Sequence, residues 1–264
     1  MKEPFLWSQT DAVSEAMRCY RNLNVPGVDI FYDRFEYNTV KQATSVARQN
    51  GGRGVMSELY GVTNWTFDFE GHKGSGDWQA ALGVTLRVPH LTWASMAGEA
   101  KKDYPASIGY QSLWFKEYSY IEDKFARNNV VLTRGRPVTR VGVIHPIESY
   151  WLCRGPIVEN FEEQNFREQA FGYLTMWLLQ GLIDFDFVSE SLLPDQISDN
   201  SPSRMEREKT LAVAACRYEI ILVSNLRTIR SSTLKVLKEF AASGGKVLIA
   251  GESPTFIDAS ILKD

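Results

Sequence analysis

Residues 54–61, Gly54-Val55-Met56-Ser57-Glu58-Leu59-Tyr60-Gly61, decide how this chain is read. Residues 54–57 have the length and apolar character of a short strand, and they follow Asn50-Gly51-Gly52, which ends a helix over 39–49 that Asn38 can cap. A carboxylate, Glu58, therefore stands where the strand stops. Upstream, the pattern predicts a helix over 10–23, a break at Pro26-Gly27 and a strand over 28–32 with Asp33 at its end. Downstream, 77–82 predicts a helix and 84–88 a strand leading into Pro89-His90-Leu91-Thr92-Trp93. Three strand-and-helix units in succession predict a parallel α/β array.

A long loop over 94–112, carrying Lys101, Lys102, Asp103 and Tyr104, and a closing helix over 114–132 bring the chain to Gly135-Arg136-Pro137. Such a Gly/Pro cluster marks a boundary. Beyond it, strands are expected over 140–144, 185–188, 219–223 and 246–250, with helices over 165–179 and 232–242, a second parallel α/β layer. The stretch 189–207, rich in Ser, Asp, Asn and Pro, reads as an exposed connection. The expected division is 1–135 and 138–264.

Composition narrows the function. Twenty-nine Lys+Arg against 32 Asp+Glu leave a net charge of −3 with no basic run, so a nucleic-acid or anionic-membrane partner has no electrostatic support. No apolar stretch approaches the roughly 20 residues of a membrane helix. Cys19, Cys153 and Cys216 are widely spaced, with neither a CxxC nor a nearby His pair. Reduced thiols, no metal site and a cytoplasmic setting are the expectation. The start of the sequence has no apolar core of signal-peptide length. Many of the 7 Trp, 11 Tyr and 14 Phe sit beside Gly, Asp or His, which suits a wet binding cleft better than a dry core.

Polar side chains at the C-terminal ends of barrel strands point into the mouth where chemistry occurs. Asp33, Glu58 and His90 all hold that position. Glu58 stands out because Tyr60 and Asn64-Trp65-Thr66-Phe67 surround it, and glycoside cleavage needs a carboxylate against developing oxocarbenium charge with aromatic faces on the sugar. The competing reading makes Glu58 a buried partner of Arg53 or Lys73. Asp33, beside Arg34, orients a substrate hydroxyl or forms a strand-end ion pair. His90 and Trp93 floor a sugar subsite, or His90 is a packing histidine. Asp103 and Tyr104 lie in a loop that can cover the cleft, or are simply solvated. His72 and Lys73 have Glu70 as a neighbouring partner. His145 has no Ser or Cys nucleophile at elbow spacing, and no glycine-rich phosphate loop is present, so no cofactor is expected.

The order of these pieces resembles the C-terminal half of a clan A glycoside hydrolase barrel followed by a class I glutamine-amidotransferase-like domain. That arrangement is known in family 42 β-galactosidases and rhamnosidase-like glycosidases. The resemblance rests on Met56-Ser57-Glu58 with its aromatic loop, on Gly76-Asp77-Trp78-Gln79-Ala80-Ala81-Leu82-Gly83-Val84 leading to Trp93, and on Arg140-Val141-Gly142-Val143-Ile144-His145-Pro146-Ile147-Glu148-Ser149-Tyr150-Trp151. It implies a partial (β/α)8 TIM-type barrel, then a flavodoxin-like, noncatalytic α/β domain. It also implies that Glu58 is the nucleophile of a retaining enzyme or the base of an inverting one, acting on a carbohydrate substrate. The general acid of that family comes from the fourth strand. A complete barrel takes about 250 residues, so the first region corresponds to only part of one. A truncated glycosidase is the leading expectation; a noncatalytic carbohydrate-binding or homo-oligomerising module is the alternative.

Overall fold

The computed structural model describes residues 3–52, 54–101, 104–197, 205 and 209–261. The helix expected over 10–23 is two short ones, α1 (Leu6–Ala12) and α2 (Ala16–Tyr20). Ser14 between them has φ 64°, a left-handed conformation that a right-handed helix cannot continue through. The chain goes on through β1 (Gly27–Phe31), α3 (Tyr37–Gln49), β2 (Val55–Gly61), α4 (Phe69–Ala81), β3 (Val84–Pro89) and, after the long loop, α5 (Ser119–Leu132). These three strands form a parallel sheet in the order β1-β2-β3.

Two local expectations change. Asn38 is not the cap of α3: it sits inside the first turn, behind Glu36 at the N-cap, and its amide reaches the Pro4 carbonyl at 3.4 Å. Helix α4 begins eight residues earlier than expected, at a real cap where the Asp68 carboxylate accepts the Gly71 N–H at 3.1 Å. Gly71, Gly74 and Gly76 weaken the helical signal there, yet Gly76 has a packing reason. A Cβ at that position would meet the Phe125 ring of α5 at 2.2 Å.

The remaining elements are β4 (Val141–Ile144), α6 (Ile147–Leu152), α7 (Ile157–Gln180), β5 (Phe185–Val188), α8 (Leu193–Gln196), β6 (Leu211–Val213), β7 (Cys216–Tyr218), β8 (Ile220–Ser224), β9 (Thr228–Ile229), α9 (Ser231–Ala242), β10 (Lys246–Ala250), β11 (Phe256–Ile257) and β12 (Ser260–Ile261). A four-stranded parallel sheet runs β10-β8-β4-β5, and β6 and β7 form an antiparallel pair. The stretch 189–207 is not an exposed connection where it is described: Ser189, Glu190, Leu192, Leu193 and Met205 are buried. Ser189 and Ser191 bond each other there, and Ser191 donates to Glu15 at 2.8 Å.

The two parallel sheets share a core. One apolar cluster joins Val28, Val40, Val46, Val55 and Val84 to Val143, Phe171, Phe185 and Phe187. Helix α3 is the element between them, with Val40, Ala43, Val46 and Ala47 buried at three- and four-residue spacing. Among the described residues no helix is long and apolar enough to cross a membrane.

Candidate functional site

The first sheet has one packed face and one open face, and strand alternation decides which side chain goes where. Val28, Ile30, Val55, Ser57, Leu59 and Val84 are buried on the helix side. There the Ser57 hydroxyl bonds Gln79 at 2.5 Å, and Arg87, lying 3.8 Å above the Phe125 ring, donates to the Tyr60 hydroxyl and to Glu122, both at 2.8 Å. The other face carries Met56 and Glu58 from β2, Asp29 from β1, and Leu86 and Val88 from β3. In register, Asp29, Glu58 and Val88 form one row, and Gly27, Met56 and Leu86 the next. Leu86 is 50% and Val88 39% exposed, so this face is uncovered.

Glu58 therefore lies within β2 rather than beyond its end, half-buried on the open face. Among the described residues its side chain has no hydrogen bond or ion pair. Lys73, one of its expected partners, binds Asp77 at 2.6 Å instead; Arg53 lies outside the described residues.

Three of the expected residues gather at the C-terminal end of the sheet. Tyr32 and Asp33 both take left-handed φ angles, 65° and 67°, turning the chain away directly after β1. Asp33 is exposed; partial desolvation raises its carboxyl pKa, a hydrogen bond with Ser75 opposing. Tyr104 stacks on Phe31, with ring centres 6.3 Å apart, so its loop does fold over the end of β1. The His90 N–H donates to the Leu59 carbonyl at 2.8 Å and its ring packs on Gly61, where an added Cβ would meet it at 3.0 Å. The structure thus brings His90 to the C-terminal end of β2, at Gly61, three residues beyond Glu58.

The others sit differently. Tyr60 is buried toward α4, its hydroxyl donating to the His72 carbonyl at 3.0 Å, and burial pushes its pKa up to about 12. Trp65 is exposed in the turn after β2, beyond an Asn64 side chain that binds the Thr66 N–H at 2.9 Å. Trp93 is half-buried and its carbonyl accepts from Gln111 at 2.6 Å. Asp103 lies outside the described residues. His72 does not pair with Glu70; it is fully buried against Tyr60, Phe67 and Tyr118, its Nδ1 2.7 Å from the Asp68 carbonyl, and burial lowers its pKa. His145 is likewise a core residue, 3.1 Å from Gln42, with its pKa pushed down to about 3 by burial.

Two residues escaped the sequence reading. Asp29 is the register partner of Glu58; its even spacing with Phe31 was the available signal. Gln111 had none. Its Oε1 and the Trp93 Nε1–H are both buried without a hydrogen-bond partner among the described residues, an acceptor and a donor on one loop. Among the described residues no cluster of three or more His, Cys, Asp or Glu is placed to hold a metal ion.

Neither a protein-family model nor a curated protein matches this sequence. Solved structures do match its fold. A rhamnosidase from Novosphingobium sp. PP1Y aligns over 93% of this chain and 22% of its own, at 18% identity and a TM-score of 0.59. A catalytic mutant of Gan42B, a GH42 β-galactosidase from G. stearothermophilus, aligns over 94% of this chain and 35% of its own, at 14% identity and a TM-score of 0.61. The cold-adapted β-galactosidase from Rahnella sp. R3 aligns over 89% and 34%, at 14% and 0.54. The chain has a glycosidase-like α/β fold with parallel sheets. It spans between about a fifth and a third of the length of these neighbours.

Proposed function

We propose that this is a glycosidase-type protein acting on a carbohydrate, in which β1-β2-β3 form the last units of a (β/α)8 barrel and Glu58 is the nucleophile or water-activating base. Residues 138–264 are then the noncatalytic, glutamine-amidotransferase-like domain. The observation that carries this reading is the state of Glu58: half-buried on the open sheet face, beside Asp29, and with its carboxylate committed to no cation among the described residues. A barrel interior becomes that face once further strands close it, and parallel sheets are stable with both faces covered. His90, Asp33 and Tyr104 at the strand end, and the Trp93 and Gln111 groups without protein partners, supply the aromatic and polar contacts that a sugar ring needs. The general acid that cleavage also requires comes from strands beyond these three.

The alternative, a noncatalytic carbohydrate-binding module, draws on the same open face without requiring the acid. Thermal shift against galactosides and rhamnosides, together with hydrolysis of matching aryl glycosides, tests both. A sugar-dependent rise in Tm that Trp93→Ala and Gln111→Ala abolish is expected. Turnover removed by Glu58→Gln establishes catalysis; sugar binding that Glu58→Gln leaves unchanged favours the module; no response to any sugar refutes both.

A further inference from the structure

Helix α7 runs 24 residues, roughly 36 Å at 1.5 Å per residue, and one side of it is uncovered. Phe171, Thr175, Leu174 and Leu178 turn toward the core. Val158, Phe161, Phe166, Tyr173, Met176 and Trp177 do not: all are exposed, Trp177 by 66% and Phe161 by 60%. At 100° per residue these six fall within about 160° of one another, a single stripe along the whole helix. Its C-terminal end is already organised, with the Tyr173 and Trp177 rings stacked at 5.8 Å and 12°. The Glu168 carboxylate accepts the N–H groups of Leu6 and Trp7 at 3.0 and 3.1 Å, which sets the stacked Phe5–Trp7 pair on the flank of the same helix.

The size and charge of this face indicate what covers it. With aromatic side chains of roughly 200 Å² each, the exposed fractions of the four stripe aromatics together with Phe5 and Trp7 leave about 600 Å² of aromatic surface per copy. Val158 and Met176 bring it near the ~800 Å² per partner of a stable interface. No Lys or Arg lies in the stripe, so an acidic ligand finds no counter-charge. Its acidic members, Glu159 and Glu162, both lie in the N-terminal half. A parallel pairing of two such helices would oppose like charges, whereas an antiparallel one sends each copy's glutamates toward the uncharged end of the other.

We propose that α7 is the contact of a two-fold homodimer, crossing antiparallel to α7 of a second copy near Gln169. Phe161 of each copy then meets Trp177 of the other, eight residues on either side of the axis. Gly172, with nothing near the position a Cβ would take, lets the backbones approach. The arrangement is isologous and closes on itself. It is independent of any role for Glu58.

Sedimentation equilibrium of the purified chain is expected to give twice the chain mass, and Trp177→Glu, on the solvent side of a folded helix, to give the monomer with an unchanged circular-dichroism spectrum. Should that variant fail to fold, cross-linking decides. In a Cys19→Ser background, which removes the exposed native thiol, Gln169→Cys is expected to form a disulfide-linked dimer on mild oxidation. Val158→Cys, far from its mate in this geometry, is expected not to. A monomeric wild-type protein, a dimer unaffected by Trp177→Glu, or equal cross-linking at 158 and 169 would overturn the proposal.

Discussion

Lys41 Nζ, on a side chain with no solvent exposure, lies 2.8 Å from Asp184 Oδ1, and this contact joins α3 to the residue just before β5, an edge strand of the second sheet. Around it Arg48 reaches Asp184 at 2.8 Å and Asp186 at 3.1 Å, and the Tyr218 hydroxyl donates to Asp186 at 3.1 Å. Burial pushes the Lys41 pKa down and the Asp186 pKa up, so each group depends on the others to stay charged. Two cations against two carboxylates are balanced; removing one is not. Asp186→Ala is expected to cost about 3–5 kcal/mol in urea unfolding, the range for a broken buried pair. Lys41→Met with Asp184→Asn, which leaves Arg48 bonded to Asp186, is expected to cost less than the single change.

Gly76 offers a separate test of packing. Alanine is the better helix former by about 1 kcal/mol, so on an open surface Gly76→Ala would stabilise. Here the new methyl meets Phe125, whose ring is buried and held between Arg87 and Lys124. Overpacking of this kind costs about 1–3 kcal/mol. A lowered Tm is expected, and a raised one would mean that α4 and α5 are not in close contact.

How much of this was legible follows from which signals are local. The strands over 84–88, 185–188 and 246–250 and the helix over 232–242 are self-announcing, and the structure has them within a residue or two. What the sequence hid depends on distant contacts. The glycines of α4 mask a helix that Phe67 and Phe125 explain only once they are brought alongside. The Ser-rich stretch after β5 looks solvated because its partners, Glu15 among them, lie some 170 residues away. His90 could be placed at a strand end by pattern alone, whereas β2 runs on past Glu58 to Gly61 and leaves that carboxylate mid-strand. The pairing of Glu58 with Asp29 could not be read from pattern, since register between parallel strands is set by the crossover and not by either strand.

Glu58→Gln separates function from stability. A carboxylate with no side-chain bond among the described residues contributes little to folding, so the change is expected to alter stability by less than about 0.5 kcal/mol. A loss of 2 kcal/mol or more, read from denaturant unfolding, would reveal a structural partner and remove the catalytic assignment.

The pH dependence of stability turns on two buried groups that pull in opposite senses. Burial raises Glu190 from 4.5 to about 7, against a hydrogen bond from the Arg230 N–H, and lowers His145 from 6.5 to about 3. Between pH 6.5 and 7 the native state alone holds the Glu190 proton, so its contribution to stability falls as pH rises. Between pH 3 and 4.5 the unfolded state alone holds a proton on His145, so stability falls as pH drops. From 4.5 to 6.5 each state binds one of the two protons and the contributions cancel. Glu190→Gln breaks that cancellation. In the variant the His145 term stands uncovered, and stability is expected to rise by about 1.4 kcal/mol per pH unit across that window relative to the parent. Urea midpoints at intervals from pH 4.5 to 6.5 measure the slope; parallel profiles for parent and variant would show that Glu190 is already ionised in the fold.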